Sequence, residues 1–133
     1  MKKIFDYWIP ESDNHFERLI EKRIKNGGPA EYQDDVRLEA YKYVEDFSVA
    51  VDVGANIGFW AKPLSKKFKK IIAFEPVQTV FDCLKKNTEN LNIDYYQIIL
   101  SNQKSCADMI IDTNNTGNNI IDIYSFDKGK IDV

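Results

Sequence analysis

Between Val51 and Pro76 the chain reads VDVGANIGFWAKPLSKKFKKIIAFEP, in which two short apolar runs are separated by a glycine-containing break and a helix-like segment. The first run, residues 48–53, is continuous and Val-rich, which is typical of a strand buried on both faces of a parallel sheet. The second run, residues 71–74, ends in Glu75 and Pro76. Two strands joined by a helical crossover predict a right-handed β-α-β unit.

The same alternation continues along the chain, because residues 57–68, although they contain Pro63, and residues 77–91 carry apolar side chains at helical spacings. Residues 95–100 follow as a third strand. Before the first strand, we predict helices over residues 13–25, which Ser12 or Asp13 can cap, and over residues 34–46. The predicted fold class is therefore α/β, a Rossmann-like half-sheet of three parallel strands with helices, plus N-terminal helices and a C-terminal β-hairpin.

The C-terminal region is rich in turn-forming residues. Residues 107–112 and 119–124 are short strand-like runs that contain apolar β-branched residues and flank Thr113-Asn114-Asn115-Thr116-Gly117-Asn118. Asn and Gly readily adopt positive φ, so a hairpin is favoured over a mobile loop. With 133 residues we expect one domain: N-terminal helices (1–47), a β-α-β-α-β core (48–104), and the hairpin with its tail (105–133).

Composition and charge disfavour several classes of protein. A net charge of −3 provides no strongly basic face for nucleic acid, and the lysine cluster of residues 62–70 is best explained as a solvated helix face. Apolar runs stop at five or six residues, so we expect no membrane span and a soluble, cytoplasmic protein. Cys83 and Cys106 lie singly in the sequence, which argues against a disulfide framework or a metal site and favours two ordinary, semi-buried thiols.

The break between the two strands predicts a ligand site. Gly54 and Gly58 allow a tight turn that a ligand can approach closely, and a helix starting near Ile57 would point unpaired N–H groups into the same crevice. Glu75 follows Gly54 at about the twenty-residue interval at which an acid binds the ribose hydroxyls of an adenosine ligand. Pro76 and Val77 would then lie against the purine.

Two side chains in the turn indicate which nucleoside would bind. Asn56 occupies the position of the middle glycine of a dinucleotide motif, and Asp52 precedes Gly54 by two residues. A carboxylate at this point would repel a pyrophosphate but would suit a cationic amino group, such as that of S-adenosyl-L-methionine. A Gly-x-x-x-Gly spacing also occurs in plain tight turns, so a purely structural role remains the alternative.

Together these segments resemble the FkbM-type S-adenosylmethionine-dependent methyltransferases. The resemblance covers roughly residues 36–124 and rests on DVGANIG (52–58), AFEP (73–76), Asn87, and the LSN ending (100–102) followed by the Asn/Gly hairpin. The resemblance implies the seven-stranded methyltransferase sheet. Because the chain is so short, it is also similar to members that bacteriophages encode. The implied cofactor-binding residues are Asp52, Gly54, Ala55, Asn56, Gly58 and Phe59 around the methionine moiety, Glu75, Pro76 and Val77 at the nucleoside, and Ser101 or Asn102 at the adenine edge.

The chain departs from this family in ending at Lys130-Ile131-Asp132-Val133, where the family continues through further strands. An open sheet edge would invite pairing with a second chain, so we expect a homodimer. The sequence identifies no catalytic residue. His15, the sole histidine, is best explained as a helix residue, and Tyr32 and Gln33 either close over the methionine end or form a plain turn.

The resemblance implies methyl transfer to a hydroxyl of a small metabolite or sugar. A cofactor-binding module without turnover, completed by a partner or by oligomerisation, is the alternative because the substrate half of the family fold is missing. A nicotinamide-dependent oxidoreductase fragment is disfavoured by Asp52 and Asn56.

Overall fold

A computed structural model describes residues 1–102 and 108–122. Its centre is a parallel sheet of three strands, Val49–Val53, Lys70–Phe74 and Ile93–Tyr96 in that spatial order, with Val51 opposite Ile72 and Ile72 opposite Asp94. This sheet, with its helices and a C-terminal antiparallel pair, confirms the predicted α/β class. In chain order the elements are β1 (Lys2–Ile4), β2 (Tyr7–Ile9), α1 (His15–Lys25), α2 (Asp34–Tyr41), β3 (Val49–Val53), α3 (Ala61–Leu64), β4 (Lys70–Phe74), α4 (Gln78–Asn87), β5 (Ile93–Tyr96), β6 (Met109–Ile110) and β7 (Ile120–Ile121), with a 3₁₀ turn at Thr116–Asn118 between the last two.

The chain begins with an antiparallel hairpin, β1-β2, that the sequence did not predict. Its strands have three residues each, which is too short for an alternating pattern to stand out. The apolar side chains of the hairpin pack on α1 and α4 in a buried core that also contains Cys83. Burial raises the pKa of the Cys83 thiol to about 11, so this cysteine is an inert core residue rather than a semi-buried one.

Both N-terminal helices are present, and the carboxylate of Asp13 accepts hydrogen bonds from the backbone N–H groups of His15 and Phe16, as expected of a cap. The buried face of α2 differs from the prediction. Val36 and Leu38 are exposed, whereas Arg37 is buried. The guanidinium of Arg37 pairs with Glu31 and bonds the carbonyl of Tyr32, so a satisfied cation takes the inward position.

The predicted helix over residues 57–68 is wrong for most of its length. Residues 54–60 form turns because Gly54, Asn56 and Gly58 have φ values of 74°, 48° and 95°, and α3 extends only from Ala61 to Leu64. Left-handed residues at every second position cannot continue a right-handed helix. Pro63 is tolerated because it lies within the first turn of α3, where no intrahelical N–H is needed.

Among the described residues, helices cover only one of the two faces of the sheet. Ile71 and Ala73 of β4 are buried beneath α3 and α4. On the opposite face, Val49, Val51 and Val53 are 51%, 57% and 62% exposed. The prediction that β3 is buried on both faces is therefore wrong here, since β3 is an edge strand of the described sheet and no described element lies over its outer face.

The C-terminal antiparallel pair, β6 with β7, brings Met109 opposite Ile121 and confirms the hairpin within residues 108–122. Cys106, the outer ends of the two predicted strands, and the tail lie outside the described residues. Strand β5 ends at Tyr96, so residues 97–100 lead away from the sheet rather than extending it. Among the described residues, every helix is too short or too polar to cross a membrane.

Candidate nucleoside site

A cavity of about 670 Å³ lies at the carboxyl ends of β3 and β4. This is the edge at which open parallel sheets bind ligands. Four parts of the chain form its wall: the turn after β3, the segment after β4, the residues following β5, and a cap contributed by the N-terminal region and the β6-β7 hairpin. The lining side chains and backbone segments include Phe16, Tyr32, Gln33, Asp52, Gly54, Ala55, Asn56, Phe59, Trp60, Glu75, Pro76, Ile98, Leu100, Met109, Thr116, Gly117, Asn119 and Ile121.

The two glycines of the turn have different roles. A Cβ built on Gly54 meets no atom within 4 Å, so its backbone faces the open cavity. A Cβ on Gly58 would lie 3.1 Å from Leu84 Cδ1 and 3.2 Å from Thr88 Cγ2. Gly54 therefore leaves room for a ligand, whereas Gly58 allows the turn to pack against α4.

Glu75 lines the cavity and joins the two turns that form its floor. Its side chain is 5% exposed, and its Oε2 accepts the backbone N–H of Asn56 at 3.0 Å while Oε1 accepts that of Val77 at 2.9 Å. Burial raises the pKa of the Glu75 carboxyl, and the two N–H donors partly offset that rise. A carboxylate offers about four acceptor positions, so each oxygen retains one for a ligand hydroxyl.

Asp52 lines the same cavity, and its Oδ2 is buried without a hydrogen-bond partner among the described residues. Burial, with a smaller contribution from the Glu75 charge, raises the pKa of Asp52 to about 6, although the nearby backbone N–H of Ala61 lowers it. A cationic donor beside Oδ2 would remove this penalty.

The start of α3 also corrects an expectation about the helix. The sequence predicted that a helix starting near Ile57 would direct its free N–H groups at the ligand. In the structure α3 starts at Ala61 and is one turn long. The groups that this part of the cavity offers to a ligand are therefore the bare backbone of Gly54 and the carboxylates of Asp52 and Glu75.

An aromatic wall stands beside the glycine turn. The ring of Tyr32 lies 5.6 Å from that of Phe16 and 5.4 Å from that of Phe59, measured between centroids. Gln33 adopts a left-handed φ of 51°, and its Oε1 accepts the indole N–H of Trp60 at 2.9 Å. The segment with Tyr32 and Gln33 thus lines the cavity beside Phe59 and Trp60.

The structure brings most of the sequence-predicted site residues together in the wall, but not all of them. Gly58 packs beneath the turn, and Val77 contributes its N–H to Glu75 and lines a separate cavity. Ser101 and Asn102 are exposed and lie outside the wall. His15 is likewise outside it, with its ring edge-on to Phe16 at 5.3 Å. The predicted residues in the wall are Asp52, Gly54, Ala55, Asn56, Phe59, Glu75 and Pro76.

Sequence reasoning missed the contribution of the C-terminal hairpin. Thr116, Gly117 and Asn119 line the cavity although they are about sixty residues from the glycine turn. Their Asn/Gly-rich composition predicted a turn correctly, but composition carries no information about what a turn packs against. The buried polar pair of Asp13 and Thr116 was the missing long-range contact.

No protein-family profile and no curated protein matches the chain. Among solved structures, it is similar to a SAM-dependent methyltransferase from Leishmania major, with 16% identity and a TM-score of 0.47 over 68% of this chain and 35% of that one. It is similar to phosphoethanolamine N-methyltransferase 1 from Haemonchus contortus, solved with S-adenosylhomocysteine, at 14% identity and a TM-score of 0.41 over 66% and 21%. It is also similar to a SAM-dependent methyltransferase from Anabaena variabilis, with 21% identity and a TM-score of 0.43 over 75% of this chain and 44% of that one. The chain therefore corresponds to less than half the length of each of these neighbours.

Proposed function

We propose that this chain binds S-adenosyl-L-methionine and is an FkbM-type methyltransferase that transfers a methyl group to a hydroxyl of a small metabolite or sugar. The observation that carries the proposal is the pair of carboxylates in one cavity on either side of a bare backbone turn. Glu75 retains acceptor positions for ribose hydroxyls, and Asp52 has a buried oxygen that lacks a donor.

The charge of the cavity favours this ligand over a dinucleotide. Among the described lining residues the ionisable acids and bases are Asp52 and Glu75, together with the phenol of Tyr32, and no lysine or arginine is present. S-Adenosylmethionine carries an ammonium and a sulfonium against one carboxylate. The pyrophosphate of NAD would add two negative charges beside two carboxylates in a partly desolvated site, which is strongly unfavourable.

The residues fit a role in positioning. S-Adenosylmethionine supplies a methyl group activated by its positive sulfur. Glu75 would hold the ribose, Gly54 would admit the ligand to the main chain, and Asp52 would fix the amino group. The aromatic wall of Tyr32, Phe59 and Trp60 then excludes water from one side of the acceptor space. Alignment of this kind can provide most of the acceleration, and we assign no catalytic base.

Calorimetry tests the proposal directly. S-Adenosylmethionine and S-adenosylhomocysteine are expected to bind at micromolar concentrations, and NAD is expected to show no heat of binding at the same concentrations. The reason is the charge of the cavity, since all three ligands contain adenosine. Equal binding of NAD, or no binding of either sulfur nucleoside, would overturn the proposal.

The proposed contact between Asp52 and the amino group predicts a pH dependence of binding, for which Asp52→Asn is the matched control. Because the pKa of Asp52 is raised to about 6, the carboxyl is ionised at pH 7.5 and becomes protonated as the pH falls to 5. Affinity for S-adenosylhomocysteine, which retains the amino group, should therefore fall by up to roughly tenfold over this range, in line with one lost charge-assisted bond. Asp52→Asn should bind weakly with little dependence on pH between these values.

A second candidate function is a cofactor-binding module that is completed by a second copy of the same chain. The sheet face that no described element covers favours it: Val49, Val51 and Val53 form an exposed apolar stripe on β3, whose outer edge pairs with no described strand. Such a stripe is typical of an interface. Lys70 and Asp94 form an ion pair on the same face, so two copies related by a two-fold axis would present complementary charges.

We expect the chain to be a homodimer in solution at micromolar concentration, as measured by size-exclusion chromatography with light scattering. Val51→Lys should shift it to a monomer, because a charge would be buried in the interface. Val36→Lys is the control, since Val36 on α2 is 52% exposed and Val51 is 57% exposed. A monomeric wild-type chain, or equal effects of both substitutions, would contradict the dimer.

A further inference from the structure

A continuous chain of hydrogen bonds links the N-terminal helix, the hairpin and the glycine turn. Asp13 Oδ2 accepts both the backbone N–H of Thr116 at 3.0 Å and its hydroxyl at 2.8 Å. The backbone carbonyl of Thr116 accepts the side-chain amide of Asn56 at 3.1 Å. The backbone N–H of Asn56 in turn donates to Glu75. Four residues that are distant in sequence are therefore joined at one wall of the cavity.

Asp13 and Thr116, the first two members of this network, are buried polar residues that are joined by side-chain hydrogen bonds rather than by a helix or a sheet. Asp13 is 0% exposed and Thr116 is 5% exposed. The other oxygen of Asp13 is occupied by the N–H groups at the start of α1. Since a buried carboxylate that loses a donor is costly, the geometry at Thr116 is strongly determined.

The loop that carries Thr116 is held together by hydrogen bonds of its own. Asp112 accepts the backbone N–H groups of Asn114 and Asn115 through Oδ1 and the amide of Asn118 through Oδ2. The carbonyl of Asn114 also accepts the N–H of Asn14 at 3.1 Å. The loop therefore packs as an internally hydrogen-bonded unit on the residues that start α1.

We infer that Thr116 and Asp13 are positioning residues that set nucleoside affinity by holding Asn56 in its left-handed conformation. This inference rests on the proposed function, because the affected quantity is binding at the Glu75 turn. Asn56 has a φ of 48°, a left-handed conformation that asparagine adopts more readily than most residues but that still competes with the right-handed and extended regions. Its amide is fixed by the carbonyl of Thr116, and its backbone N–H orients the Glu75 oxygen available to ribose.

The test compares three variants of the full chain by calorimetry with S-adenosylhomocysteine, at a temperature where circular dichroism shows each to be folded. Thr116→Val removes the hydroxyl donor with little change of shape and should weaken binding by about tenfold, the loss of one hydrogen bond to a charged group. Thr116→Ser keeps the hydroxyl and should restore affinity to within about twofold. Thr113→Val is the matched control, because Thr113 is exposed in the same loop.

The outcomes separate the two proposals. If the wild-type chain does not bind S-adenosylhomocysteine, the proposed function fails. If the wild type binds and Thr116→Val binds equally well, the positioning role fails. If Thr116→Val and Thr116→Ser are equally weak, the hydroxyl is not responsible and the positioning role is again overturned.

A double-mutant cycle checks that the effect passes through Asn56. Glycine adopts the observed φ readily, so Asn56→Gly keeps the backbone path while removing the amide that bonds Thr116. In that background Thr116→Val should cause a smaller loss of affinity than in the wild type. Fully additive losses would show that Thr116 acts on binding by another route and would overturn the inference.

Discussion

Substituting valine at Gly58 and at Gly54 is expected to give opposite results, although both glycines belong to one turn. Gly58→Val should destabilise the fold by about 3–5 kcal/mol, because a β-branched residue would combine a left-handed φ with overpacking. Its Cβ would lie 3.1 Å from Leu84 and 3.2 Å from Thr88 at a φ of 95°. Gly54→Val should cost less stability, about 1–3 kcal/mol for the left-handed φ alone, and should abolish nucleoside binding.

Urea unfolding and calorimetry on the same preparations distinguish these effects. The expected pattern is a low unfolding midpoint for Gly58→Val, and a folded Gly54→Val variant that gives no heat with S-adenosylhomocysteine. Gly54→Ala should bind weakly, because its Cβ extends into the cavity but not as far. Nucleoside binding by Gly54→Val at wild-type affinity would mean that the ligand does not approach this backbone.

The sequence was a good guide to the site where the information is local. An apolar run, a glycine and an acid at the end of the next strand determine the crevice, since parallel strands place their carboxyl ends at one edge. The order of residues alone therefore predicts that Asp52, Gly54 and Glu75 meet at this edge, and all three line the cavity there. The distinction between the two glycines could not be predicted in this way, because it depends on Leu84 of α4 and on Thr88 directly after that helix rather than on the turn itself.

The errors follow from contacts between distant segments. The 57–68 helix was predicted from spacing, but residues 54–60 are constrained by left-handed backbone that spacing does not reveal. Arg37 is buried in place of its apolar neighbours because Glu31 and the Tyr32 carbonyl satisfy it. The cap over the cavity likewise depends on Asp13 meeting Thr116, a pairing that no sequence pattern indicates.

Glu75 is expected to show a dual effect that follows from its backbone bonds. A residue that only binds ribose could be replaced by glutamine without loss of stability. Here both oxygens accept backbone N–H groups, from Asn56 and Val77, so the amide of a glutamine would have to face a donor at one of them. Glu75→Gln should therefore destabilise the ligand-free chain by on the order of 2 kcal/mol, and Glu75→Ala by on the order of 3 kcal/mol.

Binding should decline in parallel, because the ribose oxygens and the turn depend on the same carboxylate. We expect Glu75→Ala to weaken S-adenosylhomocysteine binding by about 1–3 kcal/mol beyond any loss from unfolding. The free energy of unfolding from urea titration and the dissociation constant from calorimetry give the two effects separately. Glu89→Gln is the control, since Glu89 is an exposed acid paired with Lys86 on the surface. A Glu75→Gln chain with the stability of the wild type would show that the carboxylate does not hold the turns together, and unchanged affinity would remove it from the ribose contact.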